Sequence, residues 1–88
     1  MKTSEAWTML ADTIEDWGMP FSKYGDRCLG LCECIGAMGS DGFIDLDQEF
    51  IMLHQLRVLF GHRKVFYWTT GAVKPRIKAC RILAELSK

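Results

Sequence analysis

The sequence predicts a mainly α protein, a compact bundle of about four helices with one short extended aromatic segment before the last helix. Three observations carry this expectation. Apolar residues recur at helical spacing in separate stretches along the chain, only two prolines interrupt its 88 residues, and a single β-branched and aromatic run, Val65–Trp68, is too short to be helical. A hydrophobic content of 49% without low-complexity tracts makes residues 1–88 one ordered domain with a modest core.

The first helix is expected from a cap at Thr3 or Ser4 to Trp17. Trp7, Leu10, Ala11, Ile14 and Trp17 fall on one face at i, i+3, i+4, i+7, and Glu5, Asp12, Glu15 and Asp16 fall opposite. Two tryptophans on an apolar stripe favour core packing over a binding role. Gly18, Pro20 and Gly25 then punctuate a loop.

A second helix is expected from about Asp26 to Met38, with Leu31, Ile35 and Met38 inward and Cys28 and Cys32 beside them. Gly30 and Ala37 leave a smooth strip for close approach by another helix, while Gly36 and Gly39 weaken its C-terminal end. A third helix opens at Asp45, a good N-cap with Gln48 completing a capping-box pattern, and runs to Phe60 before Gly61. Leu46, Phe50, Leu53, Leu56 and Phe60 form one stripe, yet Ile51 and Val58 lie almost opposite it and Met52 and Leu59 on its flank. Such a helix either sits centrally or contributes an oligomer or partner surface, and the central position is the expectation.

Val65, Phe66, Tyr67 and Trp68 read as an extended segment or single strand ended by Thr69-Thr70-Gly71. Pro75 suits the first turn of a last helix running to about Leu86. Ala79, Ile82, Leu83 and Leu86 make its apolar face, Lys74, Lys78, Arg81, Glu85 and Lys88 its charged stripe, and Arg76 lies off that stripe as the odd charge.

Charge is segregated along the chain. Through Gln55 there are three basic residues against ten acids, a net −7; from Leu56 onward there are eight bases against Glu85 alone, a net +7. Such asymmetry points to a partner, to self-association, or to two faces of one fold that neutralise each other. The N-terminal stretch lacks the basic-then-apolar layout of a signal peptide, and no apolar run approaches the roughly 20 residues that cross a bilayer. A cytoplasmic protein with no membrane partner is expected, its four cysteines held as thiols.

The residues carry no catalytic signature. There is no nucleophile elbow, no glycine-rich phosphate loop and no motif around His54 or His62, so a non-enzymatic protein is expected. Asp41-Gly42-Phe43-Ile44-Asp45 resembles the second part of an EF-hand calcium loop. However, Ala37 and Gly39 stand where its first carboxylates belong and Gln48 where the closing glutamate belongs, so it reads as a turn before an N-cap. Cys28, Cys32, Cys34 and Cys80 with the two histidines lack a Cys-x-x-Cys knuckle, which favours core thiols over zinc. No metal or cofactor is therefore expected.

Two candidate surfaces follow. Arg63 and Lys64, before Tyr67 and Trp68, and Arg76 and Lys78 after them have the composition of a site that stacks bases and neutralises phosphates of nucleic acid or a nucleotide. A net charge of zero withholds the long-range attraction to polyanions that favours such binding. The acidic alternative is Asp12, Glu15 and Asp16 on the first helix.

Three patches add a resemblance. Arg27-Cys28-Leu29-Gly30-Leu31-Cys32, the Gly42 turn before a helix bearing Met52 and Leu56, and Tyr67-Trp68-Thr69-Thr70-Gly71 leading to Pro75-Arg76-Ile77 and Cys80 resemble small uncharacterised proteins encoded by tailed bacteriophages. The resemblance implies an accessory phage protein made in the bacterial cytoplasm, and its class implies an inhibitor that binds a host or anti-phage defence protein. Acids at Asp12, Glu15 and Asp16 would then imitate nucleic acid towards a basic groove. Nucleotide or nucleic-acid binding is the alternative function. A homo-oligomer, in which the acidic half of one copy meets the basic half of the next, is the remaining alternative.

Overall fold

The computed structural model describes residues 1–17, 31–60 and 73–88. They form four helices, α1 Thr3–Trp17, α2 Leu31–Ser40, α3 Leu46–Phe60 and α4 Val73–Leu86, with no strand among the described residues. The mainly helical class is therefore as expected. The aromatic segment Val65–Trp68, the stretch Asp26–Gly30 and the Gly61 stop lie outside the described residues.

Helix α1 follows its periodicity. Ala6, Trp7, Leu10, Ala11 and Ile14 are all fully buried, a continuous face that only a neighbouring helix can cover. Its start lies one residue earlier than the expected cap, because Ala6 N already donates to Lys2 O at 3.0 Å. The Thr3 hydroxyl accepts instead from Gln48 Nε2 at 2.9 Å, a tie to α3.

That neighbouring helix is chiefly α4. It runs antiparallel to α1, since Arg81 reaches Asp12 and Glu15 while Lys88 shares a groove with Ser4 and Thr8. Ala79, Cys80 and Ala84 of α4 and Ala6 and Ala11 of α1 are buried in the same core, and side chains this small let two helices approach closely. The inward face of α4 is Arg76, Ala79, Cys80, Leu83 and Ala84. The expected face was rotated from this one, and Ile82 and Leu86, assigned to the interior, are exposed.

Helix α2 buries Leu31, Cys34, Ile35, Ala37 and Met38. It continues past Met38 to Ser40 and ends in a complete Schellman motif: Gly42 N donates to Gly39 O at 3.1 Å and Phe43 N to Met38 O at 2.9 Å. Gly42 adopts φ 83°, the left-handed conformation this motif requires. Gly39 serves a different need. A methyl group there would stand 2.5 Å from Glu49 Oε2, so the bare backbone of α2 admits the Glu49 side chain of α3.

The chain then turns directly into α3, whose Asp45 Oδ1 accepts from Gln48 N at 2.8 Å as an N-cap. The reciprocal half of the expected capping box is not made, because the Gln48 amide is turned to Thr3. Further along α3, Gln55 Oε1 accepts from the Trp7 indole at 2.7 Å and Gln55 Nε2 donates to Ser87 Oγ at 2.9 Å. One amide thus joins α1, α3 and the residue just beyond α4.

Two stability effects are expected. Gln55→Ala strands the indole N–H of fully buried Trp7 and should cost about 1–3 kcal/mol. Ser87→Ala, which removes the more exposed end of the chain, should cost less than about 1 kcal/mol; urea unfolding followed by far-UV circular dichroism compares them, and equal losses would contradict the assignment. Gly42→Ala should cost about 1 kcal/mol through the left-handed backbone alone, since open space surrounds that position.

Candidate functional site

The acidic residues of α1 surround an open groove of about 480 Å³. Glu5, Asp12 and Asp16 line it with Thr8 and Met9, and Lys88 is the one base among its lining residues. The helical spacing of the three acids sets them along one exposed edge. Glu15 lies beside this edge, exposed like Asp12 and Asp16.

Sequence reasoning missed how two of these acids are engaged. Arg81 Nη2 stands 2.8 Å from both Asp12 Oδ1 and Glu15 Oε2, and its hydrogen bonds to Asp12 and then Glu15 hold the guanidinium pKa above its ordinary value. All three side chains are exposed to solvent, so the cluster adds little stability. Its effect is local: acidic and basic halves of the sequence meet here and cancel in part. Asp16 and Glu5 keep the groove acidic.

The basic surface is different from the one expected. Lys78 is exposed on α4, but Arg76 is fully buried, so it is not available to contact a phosphate in solvent. Its guanidinium lies against Cys34, to which it is hydrogen-bonded, and close enough to Cys80 to influence its charge. The helical position that made Arg76 look odd beside the charged stripe is the position that turns it inward. Arg63, Lys64, Tyr67 and Trp68 lie outside the described residues.

The thiols form part of the core. Cys34 and Cys80 are buried and Cys32 is half-buried. Burial pushes the Cys34 and Cys80 thiols each up to about 12, against the opposing pull of Arg76, and burial also raises Cys32. Cys28 and His62 lie outside the described residues. Among the described residues no group of three or more His, Cys, Asp or Glu side chains is placed to hold a metal ion. Asp45, the second acid of the EF-hand-like stretch, is occupied as the cap of α3.

The largest departure from expectation is α3. Met52 and Leu56 are its buried side chains and Leu53 is half-buried, whereas Leu46 is 61%, Phe50 60%, Ile51 47% and Val58 73% exposed. A helix apolar on nearly every side gives its own pattern no means of choosing the inward face. Tertiary ties choose it, through Trp7 at Gln55 and through Glu49 at Gly39. The outcome is an apolar strip on the outside.

No family model, curated protein or solved structure matches the chain. No helix among the described residues is long and apolar enough to cross a membrane.

The buried thiols yield a pH prediction. The folded values lie above the ordinary 9.0, so between pH 9 and about 12 the folded chain keeps protons that the unfolded chain releases. Their contribution to stability is intact below pH 9 and declines as pH rises towards 12. A Cys34→Ala, Cys80→Ala double variant should show a shallower decline above pH 9 in urea unfolding. With mass-spectrometric readout, iodoacetamide should label Cys32 before Cys34 and Cys80, which should react only as the protein unfolds.

Proposed function

We propose that this is a non-enzymatic binding protein that acts by occupying the surface of another protein, with the acidic edge of α1 as the charged part of its contact surface. The observation that carries this reading is the groove beside α1, where Glu5, Asp12 and Asp16 outnumber Lys88. A surface of this kind attracts a basic partner and repels nucleic acid. Its main effects are on encounter rate and choice of partner.

The resemblance to tailed-phage proteins supports a phage origin, a site of action in the bacterial cytoplasm, and a host or anti-phage defence protein as target. In that setting the acidic edge imitates a nucleic-acid backbone towards a basic groove of the target. The nucleotide-binding alternative loses one of its cations, because buried Arg76 does not reach the surface.

The test is affinity capture from bacterial lysate followed by kinetics on the captured protein. Replacing Asp12→Asn, Glu15→Gln and Asp16→Asn together should slow association about tenfold at low salt and less at high salt, with little change in dissociation. Release of the captured material by nuclease, or an unchanged association rate, would count against the proposal.

A further inference from the structure

The outer face of α3 belongs to none of the roles above. We infer that it is a self-complementary surface on which a second copy of this chain docks antiparallel, α3 against α3, to form a two-fold symmetric dimer. This inference is independent of the acidic edge of α1.

The argument begins with spacing. Asp47, Phe50, His54 and Arg57 are exposed and separated by three, four and three residues, the alternation that keeps one seam facing a partner helix. Ile51 and Val58 flank the seam on one side and Leu46 on the other, all exposed. A stripe of large apolar side chains open to water is unfavourable in an isolated chain and marks an interaction surface.

Charge selects the occupant. The seam has an acid at its N-terminal end and a base at its C-terminal end, and among the described residues neither Asp47 nor Arg57 makes an ion pair within the chain. A parallel copy would set Asp47 against Asp47 and Arg57 against Arg57. An antiparallel copy with its two-fold axis at Met52 sets Asp47 of each chain opposite Arg57 of the other. The same register places Phe50 opposite His54.

Shape agrees with this register. Beside His54 and Val58 lies a cleft of about 230 Å³ that Leu59 of α3 and Leu83 and Leu86 of α4 also line. Phe50, which projects from the opposite half of the seam, therefore packs on the partner's His54 at the rim of this cleft. Two-fold symmetry makes the same contact twice, the requirement for an isologous interface.

Sedimentation equilibrium of the full chain across a concentration series tests the inference. The expected mass is twice the 10.0 kDa of one chain. Phe50→Asp and, separately, Val58→Glu should each give 10.0 kDa species with unchanged circular dichroism, since both side chains are exposed in the folded chain. Asp47→Arg and Arg57→Asp should each weaken the dimer about tenfold or more by placing like charges together, and mixing the two variants should restore it. A monomer at every concentration, a dimer that survives both apolar-to-acid substitutions, or single-charge variants that fail to recover on mixing would each overturn it. The triple substitution on α1 should leave the dimer mass unchanged, so this result and the binding result of the preceding section fail separately.

Discussion

Gln55 fixes how three helices meet. Its amide oxygen takes the one proton that Trp7 must donate, and its amide nitrogen reaches the hydroxyl of Ser87 beyond α4. A buried indole is a large apolar body with a single polar demand, and that demand can be met from few directions. Meeting it from α3 sets the rotation of α3 about its own axis. Met52 and Leu56 then face inward, and Phe50, Ile51 and Val58 face out. The apolar exterior of α3 thus accompanies a hydrogen bond made on its other side, together with the seat of Glu49 at Gly39.

Electrostatics in this protein operates at two depths. At the surface, Arg81 sits between Asp12 and Glu15 in water, where ion pairs add little to stability but reshape the local field. In the interior, Arg76 lies beside two thiols that burial holds in the neutral state. A charged guanidinium in such a place is costly unless its hydrogen-bonding capacity is met. The segregation of sign along the chain is therefore not a map of two surfaces. Part of the basic half is folded against the acidic half, and part is folded inside.

The sequence allowed α1 to be read almost completely, because its apolar and acidic residues alternate with one period and its tryptophan fixes the inward side. The N-cap at Asp45 and the turn at Gly42 were legible for local reasons, since both act through atoms a few residues away. The inward side of α3 was not legible: its apolar residues surround the axis, and the partner of Gln55 is 48 residues distant. Arg76 stands out of the charged stripe in the sequence, but its burial does not follow from that position alone. Cys80 lies one turn further along the same helix, but Cys34 comes from α2, and no local pattern encodes that meeting. In the candidate site, the acids of α1 were legible and their engagement by Arg81 was not, for the same reason of sequence distance.

The pairing of α1 with α4 brings together the two ends of the sequence, with Arg81 and Glu15 separated by 66 positions. The connection from α2 to α3, by contrast, closes within a few residues through its cap and turn. Contacts of low sequence separation form early, and those between distant segments must await closure of a long loop. Translation imposes the same order, because α1 leaves the ribosome long before α4 exists to cover it. Until α4 is made, Trp7, Leu10 and Ile14 lack the helix that packs along most of their face, and among the described helices only α3 reaches them, through Gln55 at Trp7.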